Sequence, residues 1–246
     1  MLQRLSRVVA IPLAPILFVQ GKRLRRTIPR LPDAALPWVG ELAGPSPLRL
    51  LVLGDSTAAG VGSATQADAL PGHLAREFRS RLGRGATWTA IGRNGATARD
   101  VITDHLAEAA RQPFDVVFLT IGANDALALR SRSAFSRDVR QIVDTLRRKN
   151  ADALILVSLM PRFDRFASLR QPVKWNLALH AASLDAGART SVADMQGVLA
   201  VPKPPPYTPE FWASDGFHPG PDGYREWAEF AVDSVPDELL KQLWVE

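Results

Sequence analysis

The stretch LRLLVLGDST, residues 48–57, decides the fold class of this protein. Its six mostly apolar residues predict a buried β-strand, and the glycine that follows predicts a tight turn. Further along, apolar runs of strand length alternate with longer segments in which apolar residues recur every three or four positions. Strands are predicted at 48–53, 87–91, 116–121, 153–159 and 191–193, and helices at 67–82, 98–111, 133–149, 175–186 and 221–232. This alternation predicts an α/β fold, with a mostly parallel five-stranded sheet covered by helices on both faces.

The composition excludes several kinds of site. The chain has 246 residues, of which 46% are hydrophobic, and it contains no cysteine. Disulfides, a thiolate nucleophile and cysteine-ligated metals are therefore excluded. The net charge of +5 does not predict nucleic-acid binding, because no motif of that class is present and much of the basic charge is crowded into the first thirty positions. The basic residues of that segment are Arg4, Arg7, Lys22, Arg23, Arg25, Arg26 and Arg30.

The amino-terminal segment has a composition of its own. Residues 8–19 (VVAIPLAPILFV) are apolar, but they are too few to span a bilayer and are interrupted by Pro12 and Pro15. No small-residue cleavage site follows, and the basic residues after the run disfavour translocation. Two interpretations stay open: residues 1–30 make peripheral contact with a membrane, or their apolar side packs on the domain. We expect a cytoplasmic or membrane-associated protein, with secretion less favoured, in which residues 1–47 are a tail and proline-rich linker and 48–246 form one domain.

Polar motifs follow three of the predicted strands. GDS (54–56) ends the first strand, GRNGAT (92–97) the second, and GAND (122–125) the third. A serine at such a turn suits a nucleophile, a glycine amide can approach an oxyanion, and an asparagine amide can donate to one. Each motif alone is also explained by capping or turn formation. Their shared position at the carboxyl ends of strands, where active sites of α/β sheets lie, favours a catalytic site.

The fourth motif, SDGFHP (214–219), supplies the acid and base. Asp215 precedes His218 by three residues and can fix the tautomer of its imidazole, so that the other ring nitrogen accepts a proton from Ser56. The remaining histidines, His73, His105 and His180, fall within predicted helices and are interpreted as surface or packing residues.

Taken together, these motifs resemble the four blocks of the SGNH/GDSL hydrolases, which carry serine, glycine, asparagine and histidine in that order. The resemblance covers about residues 48–232, with Thr57 standing where the family name implies leucine. It implies a flavodoxin-like three-layer α/β/α fold and a serine esterase without metal or other cofactor. The catalytic residues would be Ser56, Asp215 and His218, and the oxyanion hole would be formed by Ser56, Gly95 and Asn124. Gly92 is the alternative to Gly95, which we favour because GAT (95–97) is similar to the family's Gly-x-Thr block.

The substrate expected from this resemblance is a carboxylic ester, an acyl or O-acetyl ester of a small molecule or lipid. An acyltransferase acting on envelope sugars or lipids with the same site is the alternative, and a non-catalytic lipid- or glycan-binding protein is less favoured. Residues 160–170 follow the fourth strand and either wall an acyl or leaving-group pocket or pack as a long loop. The arginines of this segment, Arg162, Arg165 and Arg170, either meet an anionic headgroup or only keep the loop solvated. The segment KPPPY (203–207) is interpreted as a rigid spacer before the Asp215 loop.

Overall fold

The computed structural model describes residues 6–27, 29–202 and 208–244. The segment 203–207, predicted to be a rigid spacer, lies outside the described residues, as do Arg4 and the other terminal residues 1–5. The strands are β1 (Val39–Leu42), β2 (Leu48–Gly54), β3 (Ala86–Gly92), β4 (Val116–Thr120), β5 (Leu154–Ser158) and β6 (Val198–Val201). The longer helices are α1 (Ser6–Thr27), α2 (Leu70–Leu82), α6 (Arg132–Lys149), α7 (Val173–Val192) and α8 (Pro221–Asp233).

Shorter helices complete the layers. α3 (Ala98–Asp100) continues through a π-helical segment (Val101–His105) into α4 (Leu106–Ala109), and α5 (Ala123–Leu127) and α9 (Asp237–Lys241) are single short helices. Short 3₁₀ turns lie at Gln66–Asp68, Phe163–Arg165 and Pro209–Phe211. In the described part of the chain, no helix is at once long enough and apolar enough to cross a membrane.

The sheet confirms the predicted α/β class and its three layers, but it has six strands instead of five. The strand order is β1-β3-β2-β4-β5-β6, and every pairing is parallel except that of β1 with β3. Successive residues of β2 point to opposite faces: Leu51 and Leu53 pack with α6 and α7, whereas Leu50 and Val52 pack with α2 and α8. The core therefore consists of two apolar layers, one on each face of the sheet.

The additional strand is β1, within the segment predicted to be a linker. Val39–Leu42 pairs antiparallel with β3 at the edge of the sheet. It is only four residues long and half-exposed, so the apolar pattern that marks a buried strand is missing. The prolines on either side of it are typical of a loop, but proline is also tolerated near an edge strand.

The predicted fifth strand at 191–193 is wrong. Helix α7 runs on to Val192, and the fifth strand of the parallel part is Val198–Val201, which pairs with β5. The predicted helix 175–186 stops just before Gly187, but that glycine lies inside α7, where a side chain would come within 2.4 Å of Ser136 Oγ on α6. Gly187 therefore permits close packing of two helices, which a sequence pattern does not distinguish from a helix end.

Candidate active site

Three predicted residues from opposite ends of the domain meet at the carboxyl ends of the parallel strands, which we call the catalytic rim. The Ser56 Oγ lies 3.1 Å from His218 Nε2, and His218 Nδ1 lies 2.6 Å from Asp215 Oδ2. The two contacts lie on opposite ring nitrogens, so Nδ1–H donates to the carboxylate while Nε2 accepts from the serine hydroxyl. This is the geometry of a nucleophile, a general base and an orienting acid.

The loop that carries the base is held by the acid itself. Asp215 Oδ1 accepts hydrogen bonds from the backbone amides of Phe217 and His218, both at 2.9 Å. The Asp215 side chain is fully buried, which by itself would raise its pKa, but the hydrogen bonds from His218 and Phe217 outweigh that and lower the pKa of Asp215 below its usual value. Asp215 therefore stays ionised at neutral pH and can stabilise an imidazolium at His218.

Close approach of two strands fixes the position of the nucleophile. Gly54 ends β2 with a φ of +155°, and a side chain there would lie 1.9 Å from the carbonyl oxygen of Thr120 on β4. The chain turns directly after this residue, so Ser56 emerges at the catalytic rim with 9% of its surface exposed. Ser56 is thus accessible to a small reactant but largely shielded from water.

A buried carboxylate supports the same turn. Asp55 Oδ1 accepts from the amide of Thr57 at 3.0 Å, as expected for a residue that shapes the site loop. Burial raises the pKa of Asp55 to about 6, against the lowering effect of that hydrogen bond and of nearby His218. Asp55 therefore supports the turn that carries Ser56 through a hydrogen bond within the loop.

The three residues predicted to form the oxyanion hole differ in what holds them. Gly95 lies in the turn after β3 with a φ of +83°, whereas Gly92 is the last residue of β3 and stands in register with Gly54. Asn124 Nδ2 donates to the carbonyl of Ala96 at 3.0 Å, which leaves its second amide hydrogen for another acceptor. Within the described ranges, the backbone amides of Ser56 and Gly95 have no hydrogen-bond acceptor.

A network behind Asn124 ties the Gly95 turn to α6. Asp125 Oδ2 accepts from the amide of Ala98 at 2.9 Å, and its burial raises its pKa to about 6 despite that bond. Arg130 Nε lies 3.2 Å from the other oxygen of Asp125 without the alignment of a hydrogen bond, and the guanidinium also contacts Asp138. Asn124 and Asp125 therefore clamp the turn from two successive positions.

Asp138 was missed by the sequence interpretation. It is 1% exposed on α6 and binds the guanidinium groups of both Arg99 and Arg130. A signal was available, because Asp138 falls on the apolar stripe of α6, directly before Val139 and four residues before Ile142. A charged residue on a buried stripe indicates a partner that the local sequence does not reveal.

An apolar pocket opens beside Ser56 and His218. Its walls include Met160 and Phe166 from the segment after β5, together with Phe217 and Trp212 from the His218 loop. The Phe166 ring centroid lies 4.7 Å from that of Trp212 and 5.2 Å from that of Phe217, both in edge-on orientation. Residues 160–170 therefore both wall a pocket and pack internally, since Phe163 and Leu169 are buried in the core.

The remaining residues singled out from the sequence lie away from the triad. His180 is buried on α7 and hydrogen-bonded to Ser6, and His73 lies beside Arg76 on α2. Arg162 pairs with Asp164 at 2.7 Å, and Arg165 lies 3.8 Å from the same carboxylate. Trp212 also lines the pocket. The sequence did not point to it, because nothing in its local pattern distinguishes it from a packing residue.

Comparison with known proteins gives a family match for most of the chain. Residues 52–226 match the model of the GDSL-like Lipase/Acylhydrolase family. A curated GDSL-like esterase of Mycobacterium tuberculosis (strain ATCC 25618 / H37Rv) is 27% identical over an alignment of 210 residues, and the match covers 81% of this chain and 65% of that relative. The chain therefore spans slightly less than two thirds of the length of this relative.

Solved structures share the fold at low sequence identity. A family 3 carbohydrate esterase of Clostridium thermocellum is 17% identical with a TM-score of 0.62, covering 81% of this chain and all of that one. An extracellular lipase from Streptomyces rimosus is also 17% identical, with a TM-score of 0.60 and coverage of 77% of this chain and all of that one. Because the family model spans most of the sequence, from β2 to α8, this chain belongs to the GDSL-like lipase/acylhydrolase family.

Proposed function

We propose that this protein hydrolyses carboxylic esters through a covalent acyl-enzyme on Ser56. The single observation that carries the proposal is the hydrogen-bonded series Ser56 Oγ, His218 Nε2, His218 Nδ1 and Asp215 Oδ2, with distances of 3.1 and 2.6 Å. An ordinary serine hydroxyl is a weak nucleophile, and an adjacent base oriented by an acid activates it. A structural serine would need no such partners.

The proposed reaction has two similar halves. His218 takes the Ser56 proton while Oγ attacks the ester carbonyl, and the collapsing intermediate expels the alcohol, which His218 protonates. Water then attacks the acyl-enzyme with His218 again as base, and the acid leaves as His218 returns the proton to Ser56 Oγ. Asp215 is ionised throughout and stabilises each transient imidazolium.

Charge on the tetrahedral oxygen would be met by three donors. The backbone amides of Ser56 and Gly95 lack acceptors in the described part of the chain, and Asn124 retains one amide hydrogen. Donors that are fixed before the reaction stabilise developing charge without reorganisation. The clamp formed by Asn124 and Asp125 on the Gly95 turn supplies this rigidity.

The pocket favours a short acyl group. Its cavity volume is about 50 Å³, and one water needs roughly 10–15 Å³ on the same scale. Met160, Phe166 and Phe217 present an apolar wall, which suits a few carbon atoms of an acyl chain better than a charged group. We expect p-nitrophenyl acetate and butyrate to be better substrates than the palmitate.

Turnover of p-nitrophenyl esters by Ser56→Ala tests the proposal. Loss of the nucleophile is expected to lower kcat by roughly four to six orders of magnitude, because the triad acts as a unit. The matched control is Ser234→Ala, which removes a hydroxyl bonded to Ala231 O at the end of α8 and should retain normal kcat. Free acid is quantified with and without a sugar acceptor. This comparison is needed because an acyltransferase would form the same acyl-enzyme but would pass the acyl group to the acceptor instead of to water. Wild-type turnover by a folded Ser56→Ala variant would overturn the assignment.

A further inference from the structure

The helix α1 packs on the domain through one face only. Ser6 and Ala10 are buried, and Leu13, Leu17 and Gln20 are half-buried, so the inward positions recur every three or four residues. Ser6 Oγ lies 2.9 Å from His180 Nδ1, and Leu17 packs against the core layer that includes α7. The inward face of α1 therefore has its own contacts on α7.

The outward face of α1 is apolar and exposed. Ile11 is 70% exposed, Phe18 72%, Val19 65%, Val8 57% and Ile16 48%. Half of the large hydrophobic side chains that are exposed on the described surface thus lie on this one helix. Single exposed apolar residues are ordinary, but a contiguous group of this kind marks an interaction surface.

The charge around this face identifies the kind of partner. Residues 1–32 contain seven arginines and lysines and no aspartate or glutamate, so this segment has a net charge of +7. Because the whole chain has a net charge of +5, the remaining residues have a net charge of −2. Lys22 and Arg23 are exposed on α1 itself. A second copy of the chain would bring two such cationic segments together, which is unfavourable. An anionic lipid surface satisfies both the apolar side chains and the cations.

The position of α1 connects this surface with the active site. Gln20 Nε2 donates to the carbonyl of Gln171 at 2.9 Å, and Gln171 lies two residues before Val173, the first residue of α7. The segment between β5 and α7 supplies Met160 and Phe166 to the pocket. Because Ser6 contacts the middle of α7 and Gln20 contacts the segment just before its start, α1 runs along α7 towards the end of the sheet that carries the catalytic rim.

We propose that the outward face of α1 binds an anionic membrane surface and holds the mouth of the Ser56 pocket beside it. The apolar side chains of Ile11, Phe18 and their neighbours enter the lipid interface, and Lys22 meets anionic headgroups. Esters whose alcohol part is held in the membrane would then be presented to the pocket. This last step rests on the proposed esterase function, whereas the lipid contact itself does not.

Sedimentation of the full chain with vesicles tests the contact directly. The Ser56→Ala protein is used, so that binding is measured without turnover and independently of the catalytic assignment. We expect binding to phosphatidylglycerol vesicles, weaker binding to phosphatidylcholine vesicles, and a decrease with added salt. Replacing Ile11 and Phe18 together by serine should weaken binding at least about tenfold, because two apolar side chains lose their burial.

Two matched controls distinguish binding by this surface from non-specific binding to vesicles. Trp244→Ser removes another exposed aromatic residue, 59% exposed, at the opposite end of the sheet. Lys22→Glu is compared with Arg111→Glu, which reverses an exposed charge in the turn before β4. A charge near the surface changes affinity by about fivefold, so Lys22→Glu should bind at least about tenfold more weakly and Arg111→Glu should bind normally.

The outcomes are distinct. The lipid contact is wrong if wild-type α1 shows no preference for anionic vesicles, or if Trp244→Ser weakens binding as much as the Ile11 and Phe18 replacement. It is also wrong if the chain is a dimer that the same replacement dissociates, since the face would then belong to a second copy. With the active enzyme, turnover of an ester carried in vesicles should exceed turnover of a soluble ester. The variant with Ile11 and Phe18 replaced by serine should lose this excess.

Discussion

Asp215 accepts hydrogen bonds from His218 Nδ1 and from two backbone amides, all within four consecutive residues. Helix α1 is attached instead by contacts with residues more than 150 positions away, at His180 and Gln171. The catalytic rim is thus organised by short loops at fixed strand ends, whereas α1 depends on long-range packing. Loss of one contact at the catalytic rim should therefore abolish turnover without unfolding the domain. Loss of one α1 contact should instead loosen that helix without changing turnover.

The largest effect within this comparison is expected for Asp215→Asn. The uncharged amide no longer stabilises the imidazolium and favours the wrong tautomer of His218, so kcat should fall by roughly 10³–10⁴-fold. Steady-state kinetics on p-nitrophenyl acetate measures the loss. Asp125→Asn is the matched control, because it also neutralises a buried rim carboxylate but can still accept from Ala98 N. Equal losses in the two variants would show that Asp215 acts only by shaping its loop.

A smaller effect is expected for Asn124→Ala. Loss of one oxyanion donor usually lowers kcat by about 10²–10³-fold with little change in KM. Asn150→Ala provides the comparison: Asn150 is buried at the opposite end of the sheet, where its side chain bonds Phe114 N and Leu146 O. That variant should have a lower Tm and an unchanged kcat. An Asn124→Ala enzyme with wild-type kcat would remove Asn124 from the oxyanion hole.

The smallest effect on chemistry is expected at His180. Burial, together with nearby Arg7, lowers the pKa of His180 below the 6.5 of a free imidazole, against a backbone hydrogen bond that raises it. A lowered pKa means that the contribution of His180 to the docking of α1 is fully present above pH 6.5 and is lost as pH falls through the folded-state pKa. The protection factors of the amides of residues 6–27, which compare the observed exchange rate with the intrinsic rate at the same pH, should therefore fall on acidification. His180→Ala should show low protection of these amides at every pH, with kcat on a soluble ester unchanged, and a variant that retains high protection would contradict the role of the Ser6 contact.

The residues at the catalytic rim could be predicted because they follow from short sequence motifs and from where those motifs fall on the strands. Asp215 and His218 lie three residues apart on one loop, and parallel strands bring their carboxyl ends to one edge of the sheet. Ser56 could therefore be assigned to the same edge without knowing any contact. Asp125, directly after Asn124 in the GAND motif, supports the same edge through its bond to Ala98 N.

The rest of the fold depends on partners that a local pattern does not contain. β1 is a strand because Val39–Leu42 meets β3, and β6 begins at Val198 because α7 continues through Gly187 against Ser136 of α6. The contacts of α1 with His180 and Gln171, likewise, could not be read from an apolar run that suits a membrane as well as a protein surface. Sequence periodicity gives the type of an element, and tertiary packing decides its limits.

The most direct test of the catalytic assignment is covalent labelling with a fluorophosphonate, followed by mass spectrometry of the digested protein. We predict a single adduct on Ser56 in the wild-type chain and greatly slowed labelling in His218→Ala, since the hydroxyl then lacks the base at 3.1 Å. An unlabelled wild-type protein, or an adduct on a different residue such as Ser158 of the same pocket, would contradict the assignment of Ser56 as the nucleophile.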